Sequence, residues 1–147
     1  MAQDKSIGVI PVRRGDNDFL FLLVHQVVGH WAFPKGHPNP GETELGTALR
    51  ELNEETDISK CKIVEDFRYI QTYSFIENGE TTNKEVVFFI GFVSDDEIKI
   101  MEDEIQAFAW LSFDECMERL TYDESRTMLR TAYQHIKETA AGAAGEG

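Results

Sequence analysis

Residues 36–58 read GHPNPGETELGTALRELNEETDI, and this one stretch holds a loop, a helix start and a charged helix face. Gly36, Pro38, Pro40 and Gly41 keep its first part irregular, because proline fixes φ and removes a donor while glycine frees the backbone. Thr43 then offers a side-chain oxygen as a cap. From Glu44 to Thr56, Leu45, Ala48, Leu49, Leu52 and Thr56 recur at helical spacing. At about 100° per residue those positions share one face, which is expected to pack on a core. Glu51, Glu54 and Glu55 fall within about 100° of one another on a second face. Like charges at this spacing destabilise a helix by roughly 0.2–0.5 kcal/mol per pair, so the stripe is unfavourable until a cation sits on it. A solvated face is the plain reading of a Glu-rich helix. A hard divalent ion such as Mg²⁺ is the alternative, since it takes oxygen ligands and binds phosphates directly. Glu42 and the Gly36 carbonyl are close enough in sequence to reach the same ion.

On the N-terminal side, SIGVIPVRRGDNDFLFLLVHQ (residues 6–26) has two apolar runs separated by Arg14-Gly15-Asp16-Asn17-Asp18, the pattern of a β-hairpin. Residues 30–41 hold three of the four prolines and predict a long irregular loop, a feature that usually carries function. On the C-terminal side, residues 62–75 and 84–93 are rich in β-branched and aromatic side chains. They flank Glu77-Asn78-Gly79-Glu80 and predict a second hairpin. Residues 106–111 alternate like a strand, and Ser112 with Glu115 signals a capping box. Residues 123–138 show helical spacing in Met128, Leu129, Ala132, Tyr133 and Ile136. Residues 1–138 are expected to form a single domain, followed by a disordered tail over 139–147. Antiparallel strands with helices early and late predict an α+β sandwich, with helices covering a mixed sheet.

A chain of 147 residues is long enough for one core. Cys61 and Cys116 have no partners at zinc-site spacing and read as free thiols of a reducing compartment. The first residues, MAQDKSIGVI, lack a signal-peptide pattern, and no apolar run is long enough to span a bilayer, so a soluble cytoplasmic protein with no membrane partner is expected. The net charge of −13 disfavours a long nucleic acid as partner and leaves a small-molecule ligand and a monomer as the expectation.

The spacing of Gly36, Glu42, Arg50, Glu51, Leu52, Glu54, Glu55 and Ile58 resembles the Nudix box: G, five residues, E, seven residues, R-E, an aliphatic, one residue, E-E, one residue, G, an aliphatic. Asp57 stands where the family has that last glycine. A glycine there closes the helix in the left-handed conformation, which Asp tolerates better than most residues, so the departure touches the cap and no carboxylate. Within the family, the segments WAFPKGH (31–37), KEVVFF (84–89) and DEIQAFAWL (103–111) are similar to those of asymmetrical diadenosine tetraphosphate hydrolases. The resemblance implies a Nudix-type α/β/α sandwich with the box helix on a mixed sheet. It also implies roughly two to three Mg²⁺ or Mn²⁺ ions, and hydrolysis of diadenosine tetraphosphate to ATP and AMP.

Carried over by position, Glu54 and Glu55 are the main metal ligands and Glu51 is a ligand or the base. Arg50 orients Glu51, Glu104 is a further ligand or the base, and Gly36 contributes its carbonyl. Lys35 and Lys84 are candidates for binding phosphates, with His37 assisting. Tyr73, Phe88 and Tyr122 are candidates for a base clamp, since stacking on an aromatic face stabilises by roughly 1–3 kcal/mol per base. Phe88 and Tyr122 match stacking positions of the family, and Tyr73 is placed by the hairpin alone. Two other readings remain open at this point: removal of pyrophosphate from RNA 5′ ends, suggested by Phe33-Pro34-Lys35-Gly36, and a non-catalytic nucleotide sensor. Inositol pyrophosphates fit less well, because such charge density calls for more lysine and arginine.

Overall fold

The computed structural model describes residues 2–94 and 98–146, with side chains from residue 4 to residue 139. Strands β1 (Ala2–Arg14) and β2 (Phe19–Gln26) form the first hairpin, pairing Val12 with Phe21 and Arg14 with Phe19. The loop closes through the Gly15 N–H to the Asp18 carbonyl at 2.6 Å. The expected irregular loop over 30–41 carries two short strands, β3 (Trp31–Ala32) on β2 and β4 (Lys35–Gly36) on β1, which pin it to the sheet. Trp31 is stacked on His25 at 4.6 Å and under the Arg119 guanidinium at 4.9 Å, a packing that fixes the loop beside the helices.

Helix α1 (Glu44–Thr56) follows, then β5 (Cys61–Ile63), β6 (Tyr69–Glu77), β7 (Glu80–Val93) and β8 (Ile105–Leu111). Residues 62–75 were expected to form one strand and instead form two. Ile63 pairs with Gly91, the Val64 N–H bonds the Ile90 carbonyl at 2.9 Å, and Tyr69 pairs with Phe88, so residues 65–68 loop out of the ladder and turn Phe67 into the core. The β6–β7 turn has positive φ at Asn78 and Gly79, the geometry a two-residue hairpin loop demands. The central pair, β1 and β7, is parallel, so the sheet of eight strands is mixed, in the order β3-β2-β1-β7-β5 with β4, β6 and β8 branching from it.

Alternation along β7 explains the layers. Val87 and Phe89 join Ala48, Leu52 and Ile58 under α1. Val86, Phe88 and Ile90 join Cys116, Leu120, Met128 and Leu129 of the helical layer built by α2 (Phe113–Arg119) and α3 (Asp123–Glu146). The capping box of α2 is present, with Ser112 accepting from the Glu115 N–H and Glu115 accepting from the Ser112 N–H. The backbone of α3 is helical through Glu146, where the sequence reading ends the domain at 138. The alanine-rich stretch favours helix, the last described buried residue of α3 is Ile136, and Gly147 lies outside the described residues. Cys61 and Cys116 are both free thiols. Among the described residues, no helix is long and apolar enough to cross a membrane.

Candidate active site

Helix α1 is rotated relative to its expected packing. Leu45 and Leu49, read as core positions, are 43% and 37% exposed, and the buried set is Thr47, Ala48, Leu52, Glu55 and Thr56. Apolar periodicity gave the helix but could not set its rotation, because Glu55 is turned into the buried cleft that Lys35 also lines. Glu51 is partly covered, and Glu54 faces solvent. The helix is capped by Thr43, which accepts from the Gly46 N–H at 3.0 Å, and by Asp57 in the left-handed conformation at φ 66°. The cap therefore has the shape that the glycine of the box supplies, made with Asp.

Arg50 organises this end of the site. Its guanidinium meets Glu42 at 2.7 and 3.0 Å, Glu51 at 2.9 Å and Glu54 at 3.1 Å, and donates to the His37 carbonyl at 2.8 Å. Glu42 also accepts from the Asn39 N–H and the Thr47 hydroxyl. Arg50 first, then these two donors, hold the Glu42 carboxyl down to about 2. Glu42 is therefore a brace that fixes Arg50, and Arg50 aims Glu51 and Glu54.

Deeper in, Glu55 is 2% exposed and its Oε2 has no hydrogen-bond partner. Burial first, then the charges of Glu51 and Glu104, push its carboxyl up to about 8. Glu51 is also raised by burial, against the pull of Arg50. Lys35 is lowered by burial and by Lys84, with Glu55 opposing. A Cβ at Gly36 would stand 2.1 Å from the Glu51 carboxyl carbon, so only glycine lets that carboxylate approach the loop. Glu104 reaches the group because the preceding turn is tied to the end of α1, Met101 N–H to the Glu55 carbonyl at 3.1 Å and Lys99 N–H to the Thr56 carbonyl at 3.0 Å. Glu51, Glu55, Glu104, Lys35 and Lys84 all line one cleft of about 530 Å³.

The donor set fits a hard divalent ion. An orphaned buried carboxylate oxygen and two carboxyls raised by burial and by neighbouring glutamates are what such an ion would relieve, and Glu51, Glu55 and Glu104 offer it oxygen ligands on one cleft. Among the described residues, no three His, Cys, Asp or Glu side chains converge on one point. Arg50 instead engages Glu51 and Glu54.

A second cavity of about 530 Å³ adjoins the first, and Lys35 and Gln26 line both. It is walled by Tyr73, Phe88 and Tyr122. Phe88 is 3% exposed and packs edge-on against Phe33 at 6.2 Å, so it is part of the core with one side on the cavity. Tyr122 and Tyr73 are both 45% exposed, and the Tyr122 hydroxyl bonds the His30 ring. Lys84 differs from the exposed lysine that a phosphate site suggests. Its ammonium is buried against Asp4 at 2.6 Å and Ser6 at 2.7 Å, while the His37 Nε2 meets the same Asp4 at 2.9 Å. The sequence reading missed Asp4, Ser6, Gln26 and His30. They stand in strands or a loop with no local motif, and only strand register brings them to the site.

A carboxylate cluster that opposes its own ionisation, floored by lysines and open to an aromatic cavity, has the chemistry for phosphoric anhydride hydrolysis. Residues 2–132 match the NUDIX domain. The chain belongs to the Nudix family, as a hydrolase acting on phosphoric anhydride bonds. It is 35% identical over 127 residues to the asymmetrical bis(5′-nucleosyl)-tetraphosphatase of Rattus norvegicus, covering 84% of each chain. It is 20% identical over 143 residues to the RNA pyrophosphohydrolase of Pelagibacter ubique, covering 90% of each. The crystal structure of a C. elegans Ap4A hydrolase binary complex matches with a TM-score of 0.76 at 28% identity, over 97% of this chain and 98% of that one.

Proposed function

We propose that the protein hydrolyses dinucleoside polyphosphates, cleaving diadenosine tetraphosphate asymmetrically to ATP and AMP in the cytoplasm. The observation that carries this is the continuity of the acidic cleft with the aromatic cavity through Lys35 and Gln26. One nucleoside stacks in the cavity while the phosphates extend over the carboxylates. The relatives named as asymmetrical tetraphosphatases support the same substrate class.

Mg²⁺ or Mn²⁺ would be held by Glu51, Glu54, Glu55 and Glu104 with the Gly36 carbonyl. Such ions supply a water of lowered pKa and neutralise phosphate charge. Lys35 offsets charge along the chain, Lys84 does so further along, and His37 offers a hydrogen bond beside it. Water oxygen bonds to phosphorus, the anhydride P–O bond breaks toward the leaving phosphate, and the water proton passes to Glu51 or Glu104. Arg50 acts through Glu51 as a positioning residue.

Incubation with Mg²⁺ and diadenosine tetraphosphate, followed by chromatography, tests the reading. ATP and AMP are expected. Two ADP, or untouched substrate with triphosphorylated RNA ends processed instead, would overturn it. Glu54→Gln and Glu55→Gln are each expected to abolish turnover.

A further inference from the structure

Asp4 lies outside the box and the aromatic cavity, yet it is bonded to both Lys84 and His37, which line the cleft. Strands β1 and β7 place Asp4 and Lys84 side by side in parallel register. The Asp4 Oδ2 accepts from the Lys84 ammonium at 2.6 Å, and its Oδ1 meets the His37 Nε2 at 2.9 Å. Asp4 and Ser6 together take two of the ammonium's donors. Lys84 is 7% exposed and its charge is matched inside the fold, whereas Asp4 is 33% exposed. The ladder is carried by backbone groups, so the Asp4 side chain can turn to solvent without breaking it.

A carboxylate and a phosphate offer these donors the same thing, anionic oxygens at hydrogen-bond distance. Their like charges oppose close joint occupancy. We propose that Asp4 is a place-holding carboxylate that neutralises Lys84 and bonds His37 in the free protein, is displaced by the phosphates of a bound ligand, and so sets the anion affinity of the cleft. The inference rests on the reading of Lys84 as a phosphate-binding group. An anion of low charge, such as a single phosphate, displaces Asp4 poorly. A polyphosphate contacting Lys35 as well displaces it readily. If Asp4 instead stayed bonded and merely positioned Lys84, its removal would weaken binding, which is the opposite sign.

The test titrates the full chain with inorganic triphosphate by calorimetry, in the presence of a chelator. Asp4→Asn keeps an oxygen acceptor for Lys84 and removes the charge. Its triphosphate Kd is expected to fall about tenfold, the scale of one charged hydrogen bond no longer competed for. Lys84→Met is expected to weaken binding and to erase the gain in the double variant. Unchanged or weaker binding in a folded Asp4→Asn protein overturns the place-holder. If that variant does not fold, the wild type carries the test: the ¹³C resonance of the Asp4 carboxyl should move on saturation, and a stationary one overturns the proposal. Equal binding by wild type and Lys84→Met removes Lys84 from phosphate binding and takes this inference with it. Binding that depends on Lys84 but is indifferent to Asp4 sinks this inference alone. No binding by any variant overturns both.

Discussion

Arg50 and Glu42 are joined by two parallel hydrogen bonds, Nε to Oε2 at 2.7 Å and Nη2 to Oε1 at 3.0 Å, which lock the loop before α1 to the middle of the helix. A planar fork makes this pair, and a lysine cannot. Arg50→Lys is therefore expected to keep the charge but release Glu51 and Glu54, lowering kcat about 10- to 100-fold with the fold retained. Glu42→Gln should give a smaller loss in the same direction. Steady-state kinetics beside thermal melts separate this from unfolding, and a kcat unchanged in Arg50→Lys would remove Arg50 from its positioning role.

Glu55 links stability to pH. Its carboxyl titrates at 4.5 in the ordinary state and at about 8 in the fold, so within that window the folded protein retains a proton that the unfolded chain has released. Stability must then fall as pH rises from 4.5 toward 8. Melting temperatures in a chelator should show this decline in wild type and a flatter profile in Glu55→Gln. A divalent ion competes with the proton, so Mg²⁺ should raise the wild-type melting temperature most at the upper end of the window. A decline that is just as steep in Glu55→Gln would assign the effect elsewhere.

Tyr122 and Phe88 line the same cavity but differ in burial, 45% against 3% exposed. Removing Tyr122 takes away a stacking face and little packing. Tyr122→Ala is expected to raise KM for diadenosine tetraphosphate about tenfold while kcat changes little. Phe88→Ala opens the core beside Phe33 and should destabilise by about 3–5 kcal/mol, seen as loss of fold before loss of affinity. Denaturant unfolding of both variants checks the contrast.

How much of this was legible depended on whether the signal was local. Thr43 as cap, the box carboxylates on α1, the Asn78-Gly79 turn and the Ser112–Glu115 capping box each depend on neighbours within a few residues, and each element stands where the spacing placed it. The rotation of α1 was not local. Leu49 looks like core and Glu55 like surface until the cleft shared with Lys35 takes Glu55 in. The split of residues 62–75 was hidden for a similar reason, since Phe67 is drawn to the helical layer by long-range packing. Asp4 and Lys84 are eighty residues apart and meet only through parallel register, which leaves no trace in either segment.

Asp57 closes α1 at φ 66°, its N–H bonded to the Asn53 carbonyl at 2.8 Å, in the conformation that the family glycine supplies without a Cβ. An Asp in this region is tolerated but strained, and the side chain is exposed, so nothing is lost by removing it. Asp57→Gly is therefore expected to stabilise the protein by about 0.5–1 kcal/mol, the relief of strain being partly offset by the entropy of the freer unfolded chain. Turnover should stay within about twofold, because the box carboxylates are set by Arg50 and the close approach at Gly36 and not by the cap. Thermal melts and kcat measured on the same preparation decide the matter. A tenfold gain in kcat with no change in stability would mean that the cap conformation reaches the carboxylates after all.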